Sequence, residues 1–251
     1  MILNDLSTWP TEVVTFLGAN HDLFLAWEQR LIGQQPIIPL SGPDYDRAIM
    51  KLRQLLNPHA LRGFHCTRLT EAEIERVGST GMQPPNATIL GRRIQALLQT
   101  GSIEQPIAER LLAENLANED SRAGKIWFCF FPPERGGQSG IDRFFRHWGG
   151  EALYAYHETD PETGPILRGI GIPCVIEADV LVSTLEIHSF LDIKIARRYL
   201  ISRGFETGEP TDHEDRAKSS IAAANIRRVI RHPGGDFCDL TGCRSWRPPL
   251  A

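Results

Sequence analysis

The sequence predicts an α/β (α+β) protein, because strand-forming and helix-forming stretches alternate along the chain. The stretch LRGFHCTRLTEAEIERVGSTGMQPP at 61–85 combines a short strand and a helix in one unit. Residues 126–131 are apolar or aromatic throughout, as expected for a strand buried on both faces. A further strand is predicted at 171–182, in which Glu177 and Asp179 alternate outward. Apolar residues recur with helical spacing and predict amphipathic helices at 17–31, 45–56 and 190–201.

The strand–helix unit carries the clearest local signals. Thr70 is suited to cap the N-terminus of the helix, and Glu73 three residues later completes a capping box. Gly81 is suited to the left-handed conformation that ends a helix, and two prolines follow it closely. The strand therefore presents His65 and Thr67 beside a helix N-terminus, a position that favours anions such as phosphates.

The remaining segments suggest two parts of unequal size. Residues 1–60 are predicted to be a mostly helical N-terminal segment, interrupted by a proline-rich linker. Residues 61–251 are predicted to form the main domain. Predicted helices at 87–98 and 106–117 make a helical insertion at 87–120 within that domain.

The second half of the main domain is predicted from glycine and aromatic patterns. A glycine-rich loop at 134–140 precedes a short helix at 141–148. The tyrosines at alternate positions after Gly149-Gly150 predict a strand at 151–157. The acidic stretch that ends near residue 216 is predicted to be a loop, and an apolar segment follows it.

Composition limits the class of protein. The chain has 251 residues, of which 41% are hydrophobic and 23% charged, as in ordinary globular proteins. No apolar run approaches the roughly 20 residues of a membrane span, and no signal peptide is evident, so we expect a cytoplasmic protein without membrane partners. The net charge is −4, yet residues 216–247 hold seven basic and two acidic side chains. That segment either contacts nucleic acid or a polyphosphate, or is a solvated mixed surface.

Several common site types are missing from the sequence. The five cysteines are odd in number and irregularly spaced, which argues against a disulfide framework. Cys238 and Cys243, with His232 upstream, make at most half of a zinc site, and we expect no metal. The glycines at 136, 137 and 140 lack the Lys-Ser/Thr of a phosphate loop, and Gly-x-Ser-x-Gly and His-Glu-x-x-His are missing.

The strand ending in His-x-Thr, followed by a helix closed by Gly-Met-x-Pro, resembles the opening of the ADP-ribosyltransferase fold. The subgroup is the His–Tyr–Glu type, which includes diphtheria-toxin-like and poly(ADP-ribose) polymerase enzymes. The resemblance implies a split antiparallel or mixed sheet and NAD as the substrate. In that family the histidine holds the adenosine ribose and its Thr or Ser neighbour shares the task, which implies these roles for His65 and Thr67. Cys66 stands where the family usually has glycine.

The same resemblance implies further site residues. Arg68, beside the helix N-terminus, would contact the pyrophosphate. An aromatic residue of the next strand would stack on nicotinamide, and Trp127 or Phe128 is the candidate. The family's catalytic glutamate opens a late strand before an Ile-x4-Ile-x2-Val phrase, which here implies Glu214. Glu151, at the Gly-Gly-Glu sequence, is the second candidate.

The resemblance implies an NAD-dependent ADP-ribosyltransferase that modifies a macromolecular acceptor, nucleic acid or protein, or hydrolyses NAD. A toxin or phage-defence effector would fit such a chain and could have a neutralising antitoxin partner. An RNA 2′-phosphotransferase on the same fold is a close variant. A metal-independent RNase or nucleic-acid-binding protein that uses His65 and His147 on phosphates is an alternative. A non-catalytic interaction module with a structural His65 is another.

Overall fold

The computed structural model describes residues 1–186 and 190–250 of the chain. They form a mixed α and β structure, as the sequence predicts. The chain divides into two compact units, each with its own internal packing. The first unit consists of residues 1–62 and 180–215. The second consists of residues 63–179 and 216–251, although residue 251 lies outside the described part.

One sheet contains the five strands of the described chain. The strands are β1 (Ala60–Leu69), β2 (Ile126–Cys129), β3 (Ile172–Leu181), β4 (Glu214–Ala217) and β5 (Ile226–Arg231). Their order in the sheet is β4-β2-β1-β3-β5. β1 pairs antiparallel with β2, with Phe64 opposite Cys129. β3 pairs antiparallel with β5, with Val175 opposite Ile230.

Eleven α-helices lie within the described residues. The first unit contains α1 (Thr11–Ala19), α2 (His21–Leu31), α3 (Gly42–Leu56) and α10 (Leu191–Ser202). The second unit contains α4 (Glu71–Thr80), α5 (Ala87–Gln99), α6 (Gln105–Ala113), α7 (Gly137–Arg146), α8 (Glu151–His157), α9 (Thr163–Gly169) and α11 (Gly235–Thr241). None of them is both long and apolar enough to cross a lipid bilayer.

The predicted capped helix of the strand–helix unit is confirmed, whereas β1 continues past His65 and Thr67 to Leu69. Thr70 caps α4, since its Oγ1 accepts from the backbone N–H of Glu73 at 3.3 Å. The Glu73 carboxylate in turn accepts from the backbone N–H of Thr70 at 2.8 Å, which completes the capping box. Gly81 ends the helix with a φ of 82°, although its ψ is −160° and so not that of a left-handed helix. Local sequence therefore determines the limits of α4.

The predicted helix at 17–31 is wrong in its extent. Two helices meet at Asn20, and Leu31 at the end of α2 is 52% exposed. The buried face of α2 contains Phe24 and Glu28, four residues apart. Glu28 is buried because its carboxylate accepts from Nε of Arg197 on α10 at 2.8 Å. A tertiary ion pair therefore orients this helix.

The predicted strand at 151–157 is wrong, because these residues form helix α8. Gly149 and Gly150 both have positive φ, which turns the chain and lets the helix begin at once. Its buried residues, Leu153, Tyr154 and His157, have helical spacing. Tyr156 is exposed, so the alternating tyrosines do not lie on one face of a strand.

The strand predicted at 126–131 is shorter than expected and is not buried on both faces. β2 ends at Cys129, and the predicted loop at 134–140 is replaced by a 3-10 turn followed by the start of α7. Trp127 is 44% exposed whereas Phe128 is 2% exposed, so β2 is buried on one face and partly open on the other. α9 is not predicted by the sequence patterns, and residues 214–217 form β4 where periodicity predicts the end of a loop.

Candidate functional site

His65 lies in the middle of β1 and is held by the main chain of β2. Its Nδ1 is 2.8 Å from the carbonyl oxygen of Trp127. A carbonyl oxygen only accepts, so Nδ1 carries the proton and Nε2 of the neutral ring is an acceptor. Burial lowers the pKa of His65 below its ordinary value of 6.5, and the charge of Arg93 acts in the same direction, against the effect of the Trp127 hydrogen bond. The imidazole is therefore neutral at pH 7.

Glu73 is the centre of a hydrogen-bond cluster in the same unit. Its Oε2 accepts from the backbone of Thr70 and, at 2.9 Å, from Nε1 of Trp148. Its Oε1 accepts from Nε of Arg93 at 2.5 Å, and the Arg93 guanidinium carbon lies 4.6 Å from the centroid of the Trp148 ring. Burial opposes ionisation of Glu73, but the Arg93 charge and the hydrogen bonds outweigh it and lower the pKa of the carboxyl. The cluster therefore fixes a cation in the surroundings of His65.

Thr67 and Arg68 follow His65 along β1. Thr67 is half-buried and shares a face of the strand with His65, because side chains alternate. Arg68 is buried, and its Nε donates to the carbonyl of Ile170 at 2.7 Å and its Nη1 to that of Phe145 at 3.1 Å. A pyrophosphate contact by Arg68 would have to compete with these main-chain bonds.

The two aromatic candidates of β2 lie in different environments. As consecutive strand residues, Trp127 and Phe128 point to opposite faces of the sheet. The Phe128 ring is buried, with its centroid 5.9 Å from that of the His65 ring. The Trp127 ring is exposed, and the Arg216 guanidinium carbon lies 4.7 Å from its centroid. Only Phe128 is therefore placed beside the His65 imidazole.

The two candidate glutamates are also differently placed. Glu151 is the first residue of α8, and its carboxylate accepts from Nη2 of Arg122 at 2.7 Å. Glu214 is exposed and is the first residue of β4, within the first unit. The catalytic role of either residue stays a prediction.

The basic C-terminal segment is largely neutralised by ion pairs. Its ion pairs with carboxylates include those of Arg227 with Asp179, Arg228 with Glu177 and Asp236, Arg231 with Glu71, and Arg244 with Asp239. The expectation that Glu177 and Asp179 alternate outward into solvent is wrong, since both are buried under these arginines. The register of β3 and β5 shifts at this point, so consecutive arginines both reach the acids of β3.

Sequence reasoning missed Arg93 and Arg216 as neighbours of the predicted site. Arg93 falls on the same helical face as the buried Leu90 and Leu97, three residues before and four after it. That spacing was a usable signal for an inward arginine. Arg216 could not be found in this way, because its position depends on β4 lying next to β2.

No protein-family model, curated protein or solved structure matches this chain. Within residues 1–186 and 190–250, no group of three or more His, Cys, Asp and Glu side chains is arranged to hold a metal ion.

Proposed function

We propose that the protein is an NAD-dependent ADP-ribosyltransferase that transfers ADP-ribose to a macromolecular acceptor. In this reaction the bond between nicotinamide nitrogen and ribose C1′ breaks, and nicotinamide leaves with the bonding electrons. A nucleophile of the acceptor, or water, forms the new bond to C1′ and releases its proton to a base. Positive charge develops on the ribose in the transition state, so an enzyme needs a nearby carboxylate and firm positioning of the dinucleotide.

The observation that carries the proposal is the state of His65. Its Nδ1 is occupied by the Trp127 carbonyl, and burial keeps the ring neutral, so Nε2 can accept a hydrogen bond from a sugar hydroxyl. The adenosine ribose of NAD is the ligand that the family resemblance gives to this histidine. Thr67, on the same face of β1, supplies a hydroxyl that can share that contact.

Charge near His65 also suits a dinucleotide. Arg93 is fixed by Glu73 and Trp148, and its charge already influences the imidazole. A pyrophosphate would share this preordered guanidinium with the Glu73 carboxylate, which is its counter-ion. For the carboxylate, Glu214 is the first candidate, because the resemblance gives the catalytic role to a glutamate that opens a late strand, and β4 begins at Glu214. Glu151 is the second candidate.

The test is incubation with NAD labelled in its adenylate part, together with mixed protein, DNA and RNA acceptors. Nicotinamide release and label transfer are both measured. We expect release by the native chain, and its loss in His65→Ala and in one of Glu214→Gln and Glu151→Gln. His232→Ala, a half-buried histidine of the second unit with no role in the proposal, is the matched control.

Two outcomes would favour other functions, and a third would refute the proposal. Shortening of RNA without NAD would support the metal-independent RNase. NAD-dependent removal of a 2′-phosphate from RNA would support the phosphotransferase. If nicotinamide is never released and NAD produces no thermal shift, the ADP-ribosyltransferase proposal is wrong.

A further inference from the structure

Trp127 is an exposed tryptophan with an arginine stacked on it. Its 44% exposure is the highest among the five tryptophans of the chain, three of which are buried. The Arg216 guanidinium carbon lies 4.7 Å from the ring centroid, a distance typical of a cation–π contact. A large aromatic surface left open beside a fixed cation is a common means of binding a planar, negatively charged ligand.

The charge around this pair is basic. β4 is an edge strand of the sheet, so one of its sides has no neighbouring strand among the described residues. Asp215 and Ala217 are buried, which places Arg216 on the other face of β4 together with the exposed Glu214, and Lys218 follows the strand directly. Lys125 directly precedes β2. Three basic side chains, those of Lys125, Arg216 and Lys218, thus lie on the segments that carry this pair, against one exposed acid, Glu214.

We propose that Trp127 and Arg216 form a docking platform for single-stranded nucleic acid. A base would stack on the indole, while Arg216 and Lys218 would contact the adjacent phosphates. Stacking on an aromatic ring suits any base, and the duplex would have to open to expose one, so the platform selects single strands without requiring a sequence. The single-stranded nucleic acid would be the acceptor of ADP-ribose, and that part of the inference rests on the proposed function. Docking of the nucleic acid itself requires no NAD.

The first measurement is the anisotropy of labelled single-stranded DNA and RNA 20-mers, titrated without NAD at 50 to 200 mM salt. We expect Trp127→Ala to weaken binding about tenfold or more, and Trp127→Phe to retain most of it. Arg216→Gln should weaken binding and reduce the log–log salt slope by about 0.7, as for one lost phosphate contact. Tyr156→Ala and Arg92→Gln remove an exposed aromatic ring and an exposed arginine elsewhere in the same unit, and should bind like the native chain.

A second measurement covers the case in which Trp127→Ala does not fold. Oligonucleotide should quench tryptophan fluorescence of the native chain, and Trp127→Phe should lose that change while keeping the binding. The platform is refuted if native protein does not bind oligonucleotide at 50 mM salt, or if both Trp127 variants bind like the native chain. It is also refuted if NAD alone causes the quenching and displaces the oligonucleotide, since Trp127 would then belong to the nicotinamide site.

The two proposals can fail separately. Release of nicotinamide into water is measured without oligonucleotide, and oligonucleotide docking is measured without NAD. Docking without nicotinamide release would leave the platform intact and refute the transferase. Release of nicotinamide without docking of the oligonucleotide would support the transferase and refute the platform.

Discussion

Nε1 of Trp148 donates a hydrogen bond to Oε2 of Glu73 at 2.9 Å, although 75 residues separate them along the chain. The same carboxylate closes the capping box of α4 with Thr70 and pairs with Arg93 of α5. A helix cap that can be recognised in the sequence therefore also joins three distant segments. One of those segments is the strand–helix unit that carries His65.

Removing the charge of Glu73 should be strongly destabilising. In Glu73→Gln the guanidinium of Arg93 would lose its counter-ion in a partly buried site, which costs about 3 kcal/mol. Glu71→Gln is the matched control, because Glu71 pairs with Arg231 at the exposed surface and should contribute less than about 1 kcal/mol. Urea denaturation measures both free energies of unfolding. Equal losses in the two variants would contradict the central role of Glu73.

The same carboxylate predicts a dependence of stability on pH. The pKa of Glu73 is lower in the folded protein than its ordinary value of 4.5. Its contribution is therefore complete above pH 4.5 and is lost as the pH falls below that value through the folded pKa. The difference in unfolding free energy between the native chain and Glu73→Gln should be constant from pH 6 to 8 and shrink below pH 4.5. If the difference in unfolding free energy instead grows below pH 4.5, the pKa of Glu73 is not lowered in the folded protein and the prediction is wrong.

Substitution by alanine should have opposite effects on stability at Gly78, within α4, and at Gly81, which caps its C-terminus. At Gly81, with φ of 82°, a Cβ would overlap the carbonyl oxygen of Ile221, which accepts a main-chain hydrogen bond from Met82. We expect Gly81→Ala to cost about 2 kcal/mol or more. Gly78 lies within α4 and a Cβ there meets no atom within 4 Å, so Gly78→Ala should stabilise by about 0.5–1 kcal/mol. Thermal unfolding of both variants tests this pair, and changes of the same sign would contradict it.

The pH profile of nicotinamide release should report the state of His65. Burial lowers its pKa below 6.5, and an acceptor role for Nε2 requires the neutral ring. Release should therefore be constant from pH 7 to 8 and fall only below pH 6.5, as the ring becomes protonated. His232→Ala should keep this profile. A rate that rises as the pH falls would show that the charged imidazole is the active form.

Local signals in the sequence were sufficient where a few neighbouring residues determine the conformation. Thr70, Glu73 and Gly81 define the limits of α4, and the long apolar run at 171–182 gives β3 almost to the residue. The same reasoning failed at 151–157, because the alternating tyrosines have no partner strand and the two preceding glycines start a helix. Pattern alone does not show which face of a short segment meets the core.

The sequence by itself determined that helices and strands alternate, where α4 begins and ends, and that His65 lies within a strand. Only the tertiary structure decided that Nδ1 of His65 meets the Trp127 carbonyl, that Arg93 joins Glu73 and Trp148, and that Arg216 stacks on Trp127. The physical reason is the separation along the chain over which each kind of interaction acts. Caps and periodicity act within one or two helical turns, whereas these contacts join residues 20 to about 90 positions apart, which meet only when the strands pair and the helices pack.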